Sequence, residues 1–248
     1  MNETRPKIRL HVAAPLGPGM AAPLSAGQAH YLRSVMRLAP GAVVAAFNAE
    51  DGEWRARVER LDRKGGKLAP EVQLPPPAAE PDLWLLFAPV KRAPVDFLVQ
   101  KATELGVSRL IPVETRRTVV ERVNLERLSA IAIEAAEQCG RLSVPEVAPA
   151  QALDAALDGW PAGRPLYYCD PENGRPMLMS IEAGETAAAL LVGPEGGFDE
   201  RERGWLSALT FARPVGLGPR VLRAETAALA ALALWQAAAG DWRGERTP

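Results

Sequence analysis

The 248-residue chain carries only two cysteines, Cys139 and Cys169, too few for a disulfide framework and without the CxxC spacing of a zinc or redox site. His30 has no partners at metal-ligand spacing, so no metal is expected. No apolar run approaches the roughly 20 residues needed to span a bilayer, which argues against membrane insertion. The start, Met1-Asn2-Glu3-Thr4-Arg5-Pro6, lacks the apolar core of a secretory signal, and a cytoplasmic protein is expected. There is no internal repeat, and no low-complexity segment beyond a richness in alanine.

What is present divides unevenly along the chain. Residues 1–74 hold 11 Lys and Arg against 7 Asp and Glu, a balance of +4. The remainder holds 18 against 23, or −5, and the two add to the net −1. A basic first segment on an acidic second one points to a polyanion meeting the first. Four prolines between Leu74 and Asp82 exclude regular structure and suggest a semi-rigid spacer over 75–82. Before it, Lys7–Val12 and Glu53–Glu59 alternate polar and apolar residues, and Gly41–Phe47 is an apolar strand candidate. Asn48–Gly52 reads as the turn of a hairpin, and one helix is expected near Gly27–Leu38. The first 74 residues therefore read as a small β-barrel with one helix.

From residue 83 the pattern becomes strand–helix alternation. Leu83–Pro89, Val107–Val113, Pro165–Cys169, Ala187–Val192 and Pro214–Leu217 read as strands, the fourth apolar throughout. Val95, Leu98, Val99, Ala102 and Leu105 recur at helical spacing, closed by Gly106. Asn124 reads as the cap of a second helix, with Leu125, Leu128, Ile131, Ala132, Ala135 and Cys139 on its buried face and Gly140 at its end. Near-continuous apolar strands between amphipathic helices predict a parallel sheet covered on both faces. A last helix, about Ala224 to Ala239, is apolar almost all round and should be buried against the core or a partner subunit.

Two glycine turns carry the chemistry. Gly193-Pro194-Glu195-Gly196-Gly197 follows directly on Ala187–Val192, where ligands bind in open α/β sheets. Its spacing is neither a Walker A loop nor GxGxxG, and it comes late in the chain, against a classical dinucleotide fold. A plain strand-to-helix turn is the rival reading for such a loop alone. Some twenty residues later Leu217-Gly218-Pro219-Arg220-Val221-Leu222-Arg223 leads into Ala224-Glu225-Thr226 at the mouth of the apolar helix. Two glycine loops at the ends of two strands can face each other across one pocket. Arg223 reads either as a functional cation or as the ion-pair partner of Glu225 or Glu195.

Five segments resemble, in order, the RsmE family of small-subunit ribosomal RNA uridine-N3 methyltransferases, in the SPOUT superfamily. They are His30–Arg37, Gln100–Val107, Glu134–Arg141, Gly193–Phe198 and Leu217–Ala227, spread over nearly the whole chain. Ala224 stands where many relatives have threonine, and Cys139 where serine is common. The resemblance implies an α/β fold: a PUA-like β-barrel RNA-binding domain over 1–74, a linker over 75–82, and a trefoil-knotted parallel-sheet catalytic domain over 83–248. It implies S-adenosylmethionine as cofactor, 16S ribosomal RNA or the small ribosomal subunit as partner, and pairing into a homodimer.

By that likeness Val192, Gly193, Pro194, Glu195, Gly196, Gly197, Leu217, Gly218, Leu222, Arg223 and Ala224 would hold the cofactor, with a third contact from the loop after Pro165–Cys169. Uracil N3 must lose its proton before it can attack a methyl group, so a base or a cation stabilising the anion is needed. Arg223 is the candidate cation, and Glu225 or Glu195 the candidate base. Enzymes that methylate pyrimidine C5 need a cysteine adduct; N3 chemistry does not, and Cys139 and Cys169 read as packing residues. For RNA, Arg33 and Arg37 one helical turn apart, His30 beside them, and Arg9 in a stripe with Lys7 and His11 are the candidate contacts, followed by Arg55 and Arg57. Glu134, Gln138 and Arg141 share one polar helix face, which reads as solvated or as bordering a cleft. Two other functions fit: a ribose 2′-O-methyltransferase of ribosomal or transfer RNA, and a non-catalytic RNA-binding or assembly protein.

Overall fold

Alternation of side chains sets the first strands to work on two faces at once. In the computed structural model, which describes residues 5–75, 80–90, 92–119, 123–182 and 184–243, the chain divides into two units. Residues 1–77 and 136–144 form one, and 78–135 with 145–248 form the other. Residues 76–79 of the expected proline-rich spacer lie outside the described residues.

The first unit contains β1 (Arg9–His11), β2 (Ala22–Leu24), α1 (Ala26–His30), β3 (Val43–Asn48), β4 (Gly52–Leu61) and β5 (Gly66–Gln73). The strands form one sheet in the order β1-β3-β4-β5-β2. β1 lies parallel to β3 after a long crossover, and the other pairs are antiparallel. Among the described residues the outer strands β1 and β2 do not pair with each other. One face carries Leu10, Val44, Ala46, Trp54, Val58 and Leu68 into a single core that includes Leu32 of the helical segment. The hairpin turn falls at Asn48–Gly52 as expected. β5 is a strand that the sequence reading did not include; its Pro70 is accommodated where the β4–β5 register shifts beside Ala56.

The other face of that sheet holds a buried charge cluster. Glu53 is fully buried, paired with Phe47 in register, and takes hydrogen bonds from Arg5 Nε and Arg9 Nε, both 2.6 Å. Arg9 lies 4.1 Å over the Phe47 ring. Its remaining N–H groups donate to the carbonyls of Ala136 (2.7 Å), Glu137 (3.0 Å) and Arg141 (2.9 Å). A guanidinium on carbonyls left open at a helix end is favoured by the helix dipole as well as by hydrogen bonding.

The second unit runs β6 (Asp82–Phe87), α2 (Arg92–Glu104), β7 (Val107–Glu114), α3 (Leu125–Cys139, its last turn in the first unit), β8 (Glu146–Val147), β9 (Gln151–Ala152), α4 (Leu153–Leu157), β10 (Leu166–Cys169), β11 (Arg175–Pro176), β12 (Ala187–Val192), α5 (Glu200–Ala208), β13 (Ala212–Gly216) and α6 (Ala224–Ala238). The sheet order is β11-β13-β10-β12-β6-β7-β8, with β9 also on β7, and every pairing is parallel. Leu86, Ile111, Val113, Leu166, Tyr168 and Leu191 face α4 and α5 through Leu153, Leu157 and Leu206. Against the rest of the sheet, α6 packs on β12 and on α2. The predicted parallel sheet with two covered faces is what forms.

Helix α6 is fixed at two points by polar groups. Gln236, fully buried, donates to Leu105 O at 2.7 Å. Gly106 (φ 81) makes room, since a Cβ there would lie 2.6 Å from Gln236 Nε2. Trp235 Nε1 donates to Glu185 Oε2 at 3.4 Å, and Tyr167 Oη donates to Glu185 Oε1 at 2.5 Å. Helix α5 escaped the periodicity argument because only Glu202 and Leu206 are buried. Its legible signal is the Asp199–Glu202 capping box.

At the amino end of β6, Arg164 donates to Asp82 O (2.9 Å), Ala188 O (3.1 Å) and the Asp82 carboxylate, with its guanidinium 3.9 Å over Trp84. Burial opposes ionisation of Asp82, but hydrogen bonds from Ser108 and Arg164 and the Arg164 charge outweigh it, holding the carboxyl below its ordinary 3.8. A carboxyl lowered by folding contributes stability above its unfolded pKa and loses it as pH falls through the folded value. Asp82→Asn should therefore lower the urea midpoint at pH 7, with the gap to wild type narrowing below about pH 4. An equal gap at pH 7 and pH 3 would contradict this.

Candidate active site

Three neighbouring parallel strands, β13, β10 and β12, end side by side, and the loop after each becomes a wall of one cleft of about 270 Å³. Asp170–Glu172 follow β10, Gly193–Phe198 follow β12, and Leu217–Leu222 follow β13. Arg117 from the loop after β7, Arg203 of α5, the strand residues Cys169, Val192 and Val215, and Ala224 and Ala227 of α6 complete the lining.

Each loop takes its shape from specific residues. Phe198 is buried and folds back beneath Gly193, where a Cβ would lie 3.1 Å from the ring. The same ring meets Tyr168 edge-on at 6.3 Å. Gly197 (φ 65) closes a turn onto Pro194 O at 2.8 Å. Asp199 then caps α5, accepting from Glu202 N at 2.7 Å. In the loop after β10, the Asp170 carboxylate accepts from Glu172 N (3.0 Å) and Asn173 N (3.2 Å). Gly174 passes so close to β13 that a Cβ would sit 2.2 Å from Val215 C and 2.4 Å from Gly216 N. Arg203 of α5 pairs with Glu172 and so ties the first two walls together.

Of the residues predicted for the cofactor, Val192, Gly193, Pro194, Glu195, Gly196, Gly197, Leu217, Gly218, Leu222 and Ala224 line the cleft. The loop after β10, foreseen as a third contact, lines it as well. Arg223 and Glu225 are not among the lining residues. Arg223 is the N-cap of α6 with extended backbone (φ −64, ψ 154). In extended chain neighbouring side chains alternate sides. Leu222 and Ala224 thus line the cleft while the Arg223 side chain is exposed. No ion pair joins Arg223 to Glu225 or Glu195 among the described residues. The predicted acid–base set therefore meets the cleft through Glu195 alone.

The lining cations are instead Arg117, Arg203 and Arg220. Arg117 donates to Gly196 O at 2.5 Å and so rests on the loop. Its signal in sequence was faint: two adjacent arginines just past the carboxyl end of a strand. Cys169 also lines the cleft; it keeps some surface, but its sulfur is enclosed and desolvation pushes the thiol up to about 12. A thiol held neutral is a poor nucleophile.

In the first unit, the RNA candidates separate. Arg9 is spent on Glu53 and the carbonyls of Ala136, Glu137 and Arg141, and its side chain is only 8% exposed. Its strand alternation gave the stripe correctly but not the buried carboxylate that neutralises it. Arg141, placed on a polar face by spacing, is also buried, and donates to Ser143 Oγ at 2.7 Å. His30, Arg33 and Arg37 stay at or near the surface. The helix carrying them changes at Tyr31–Val35 to π-helix, with Met36 N bonded to Tyr31 O at 3.0 Å. Arg37 follows at φ 54, so α-helical spacing no longer relates it to Arg33.

An all-parallel sheet with a glycine-walled cleft at its carboxyl edge defines a ligand-binding α/β enzyme architecture. Residues 78–236 match the model of an RNA methyltransferase domain, and residues 24–71 that of an RNA methyltransferase PUA domain. The ribosomal RNA small subunit methyltransferase E of Rickettsia conorii is 32% identical over 206 residues, 82% of this chain and 84% of that protein. The same enzyme from Neisseria gonorrhoeae, solved bound to S-adenosyl methionine, is 30% identical with a TM-score of 0.87, covering 95% of this chain and 99% of its own. A Legionella pneumophila protein solved with the bound cofactor SAM is 31% identical with a TM-score of 0.85, covering 94% of this chain and 98% of its own. The chain belongs to the ribosomal RNA small subunit methyltransferase E family of RNA methyltransferases.

No helix among the described residues is long and apolar enough to cross a membrane, and none of their acidic, histidine and cysteine side chains cluster as a metal site. The close approach at Gly174 gives a direct test. Gly174→Ala should cost about 1–3 kcal/mol or more by overpacking. Gly204→Ala, in α5 with nothing within 4 Å of its Cβ, should instead gain up to about 1 kcal/mol. Equal thermal midpoints for the two variants would remove the argument.

Proposed function

We propose that this enzyme transfers the methyl group of S-adenosylmethionine to N3 of one uridine in 16S ribosomal RNA. The observation that carries the reading is the single cleft walled by three loops at the ends of adjacent parallel strands, with Glu195 on its lining. The names and bound cofactor of relatives at 30–32% identity support it. The residues fit the cofactor. Gly193, Gly196, Gly197 and Gly218 offer backbone N–H and C=O groups without side chains, and Val192, Leu217, Leu222, Ala224 and Ala227 offer an apolar wall for a purine.

When bound, the cofactor supplies a methyl group on a sulfonium. The chain's own task is to position the acceptor in line and to handle one proton. Glu195 takes the N3 proton, with Glu225 the second candidate. Arg117 and Arg220, on the lining, stabilise the charge left on the uracil oxygens. Arg223, exposed beside Leu222, orients an RNA phosphate. Residues 1–74 are assigned as a PUA-like RNA-binding domain, in which His30, Arg33 and Arg37 meet the RNA backbone. Exposed Tyr31, Val35 and Met36 and the π-helical turn support that face.

The catalytic domain, residues 83–248 beyond the 75–82 linker, is assigned a trefoil-knotted backbone. β12 inserts between β6 and β10, and α6 returns from β13, which lies between β11 and β10, to pack on β12 and α2, which supports a threaded path. Two copies pair through α6, on which Leu229 and Leu234 keep part of their surface. A ribosomal RNA substrate places the enzyme in the cytoplasm.

Incubation with labelled cofactor and small-subunit ribosomal RNA, followed by digestion and mass spectrometry, should yield 3-methyluridine. A ribose-methylated nucleoside would instead establish a 2′-O enzyme, and no modified nucleoside would leave an RNA-binding protein. Glu195→Gln should lower kcat by about 100-fold or more with cofactor affinity kept. Glu225→Gln having that effect would move the base. Sedimentation at micromolar concentration should report a dimer, and a monomer would contradict the pairing.

A further inference from the structure

Arg117 lines the cleft just described, while its neighbour Arg116 lines a second cavity, of about 520 Å³, in the same unit. The second cavity is bordered by Glu114 at the end of β7 and Arg116 beyond it, by Ala152, Leu153 and Asp154 at the start of α4, and by Arg201, Glu202 and Trp205 of α5. Some of these groups are already committed. Glu202 accepts from Arg116 N at 2.7 Å and completes the α5 capping box, Arg116 pairs with Asp199 at 3.5 Å, and Asp154 accepts from Ala155 N at 2.8 Å.

Three groups are not. Glu114, Arg201 and Trp205 are exposed, Trp205 at 37%, and none has a hydrogen-bond or ion-pair partner among the described residues. They are an acceptor carboxylate, a donor fork and an aromatic face, gathered at one cavity. Each meets a different part of a nucleotide. An exposed indole stacks a base. A guanidinium pairs with phosphate through two parallel N–H bonds. A carboxylate accepts two adjacent N–H groups, and of the four RNA bases only guanine offers two on its Watson–Crick edge, N1–H and N2–H. The cavity has the size of a small-ligand site. An inorganic anion would leave Trp205 and Glu114 without a role, and an apolar docking helix would leave the carboxylate of Glu114 and the guanidinium of Arg201 without partners.

We propose that this second cavity holds one guanine nucleotide of the RNA substrate close to the methylated uridine, with its base on Trp205, its Watson–Crick edge on Glu114 and its phosphate on Arg201. The proposal rests on the RNA methyltransferase reading and extends it to substrate selection. Adjacent residues Arg116 and Arg117 border the two cavities, so nearby nucleotides of one strand can occupy both.

The test measures binding of small-subunit ribosomal RNA and methyl transfer in parallel. Trp205→Ala should weaken RNA binding about tenfold, and Trp205→Phe should retain most of it. Arg201→Ala should weaken it several-fold, while calorimetric affinity for S-adenosylmethionine stays unchanged in all variants. Transcripts with inosine in place of guanosine, which lack the N2 amino group, should bind wild type less tightly, and Glu114→Gln should erase that difference. Wild-type RNA affinity in both Trp205→Ala and Arg201→Ala would overturn the proposal. So would saturable binding of free GMP that depends on Glu114 while RNA affinity does not. Methyl transfer by wild type reports on the parent reading separately: transfer with unaffected variants sinks only the guanine site, and no transfer by wild type sinks the reading beneath it.

Discussion

The cleft depends on how closely two backbones can approach. β10 lies between β13 and β12, and the loop leaving it must clear β13 before the chain can run alongside that strand as β11. Gly174 and Gly216 face each other at that point, and a Cβ on Gly216 would lie 2.8 Å from Gly174 O. Asp170 N donates to Val215 O at 3.0 Å and Gly174 N to Asp170 O at 2.9 Å, so the approach is held by hydrogen bonds as well as permitted by missing side chains. With it in place, three loops open on one side of the sheet at a common level. Catalysis by positioning needs this kind of preset geometry, because alignment is obtained before the reacting groups meet.

Charge plays two different parts in the molecule. Arg9 and Arg164 are nearly buried and are consumed by carbonyls, by carboxylates and by an aromatic face, so their function is to hold elements together. Removing one partner of such a cluster leaves the other charge buried and unpaired, which costs far more than the pair contributes. Arg117, Arg201, Arg220 and Arg223 remain on the surface of the second unit, around the cleft and the cavity beside α5 or next to them. Net charge conceals this distinction. The basic balance of the first 74 residues includes Arg5 and Arg9, both bound to Glu53.

Much of the fold was legible because buried strands and amphipathic helices leave periodic marks. β12 falls on Ala187–Val192 as read, and α6 on the apolar stretch from Ala224. Asn124 accepts from Arg127 N at 3.0 Å, the cap that its position before Leu125 implied. Strands of two or three residues leave no such mark, and in β5 a bulge absorbs Pro70, a residue that a regular ladder would reject. At the site, the glycine loops were readable since each glycine answers a backbone requirement. The side chains around them were less so. Arg223 stood next to the right residues, yet an extended backbone turned it out of the lining, while Arg117 arrived from a strand some eighty residues upstream. Sequence proximity identifies loops; which side chains converge depends on strand order, which no local pattern encodes.

The central claim is that the cofactor sits against the ends of β10, β12 and β13. Hydrogen exchange of the protein with and without S-adenosylmethionine tests it most directly. Slowed exchange should appear together at 170–174, 193–198 and 217–222, the three loops that wall the cleft. Protection confined to other segments of the second unit, with these three loops unchanged, would contradict the account.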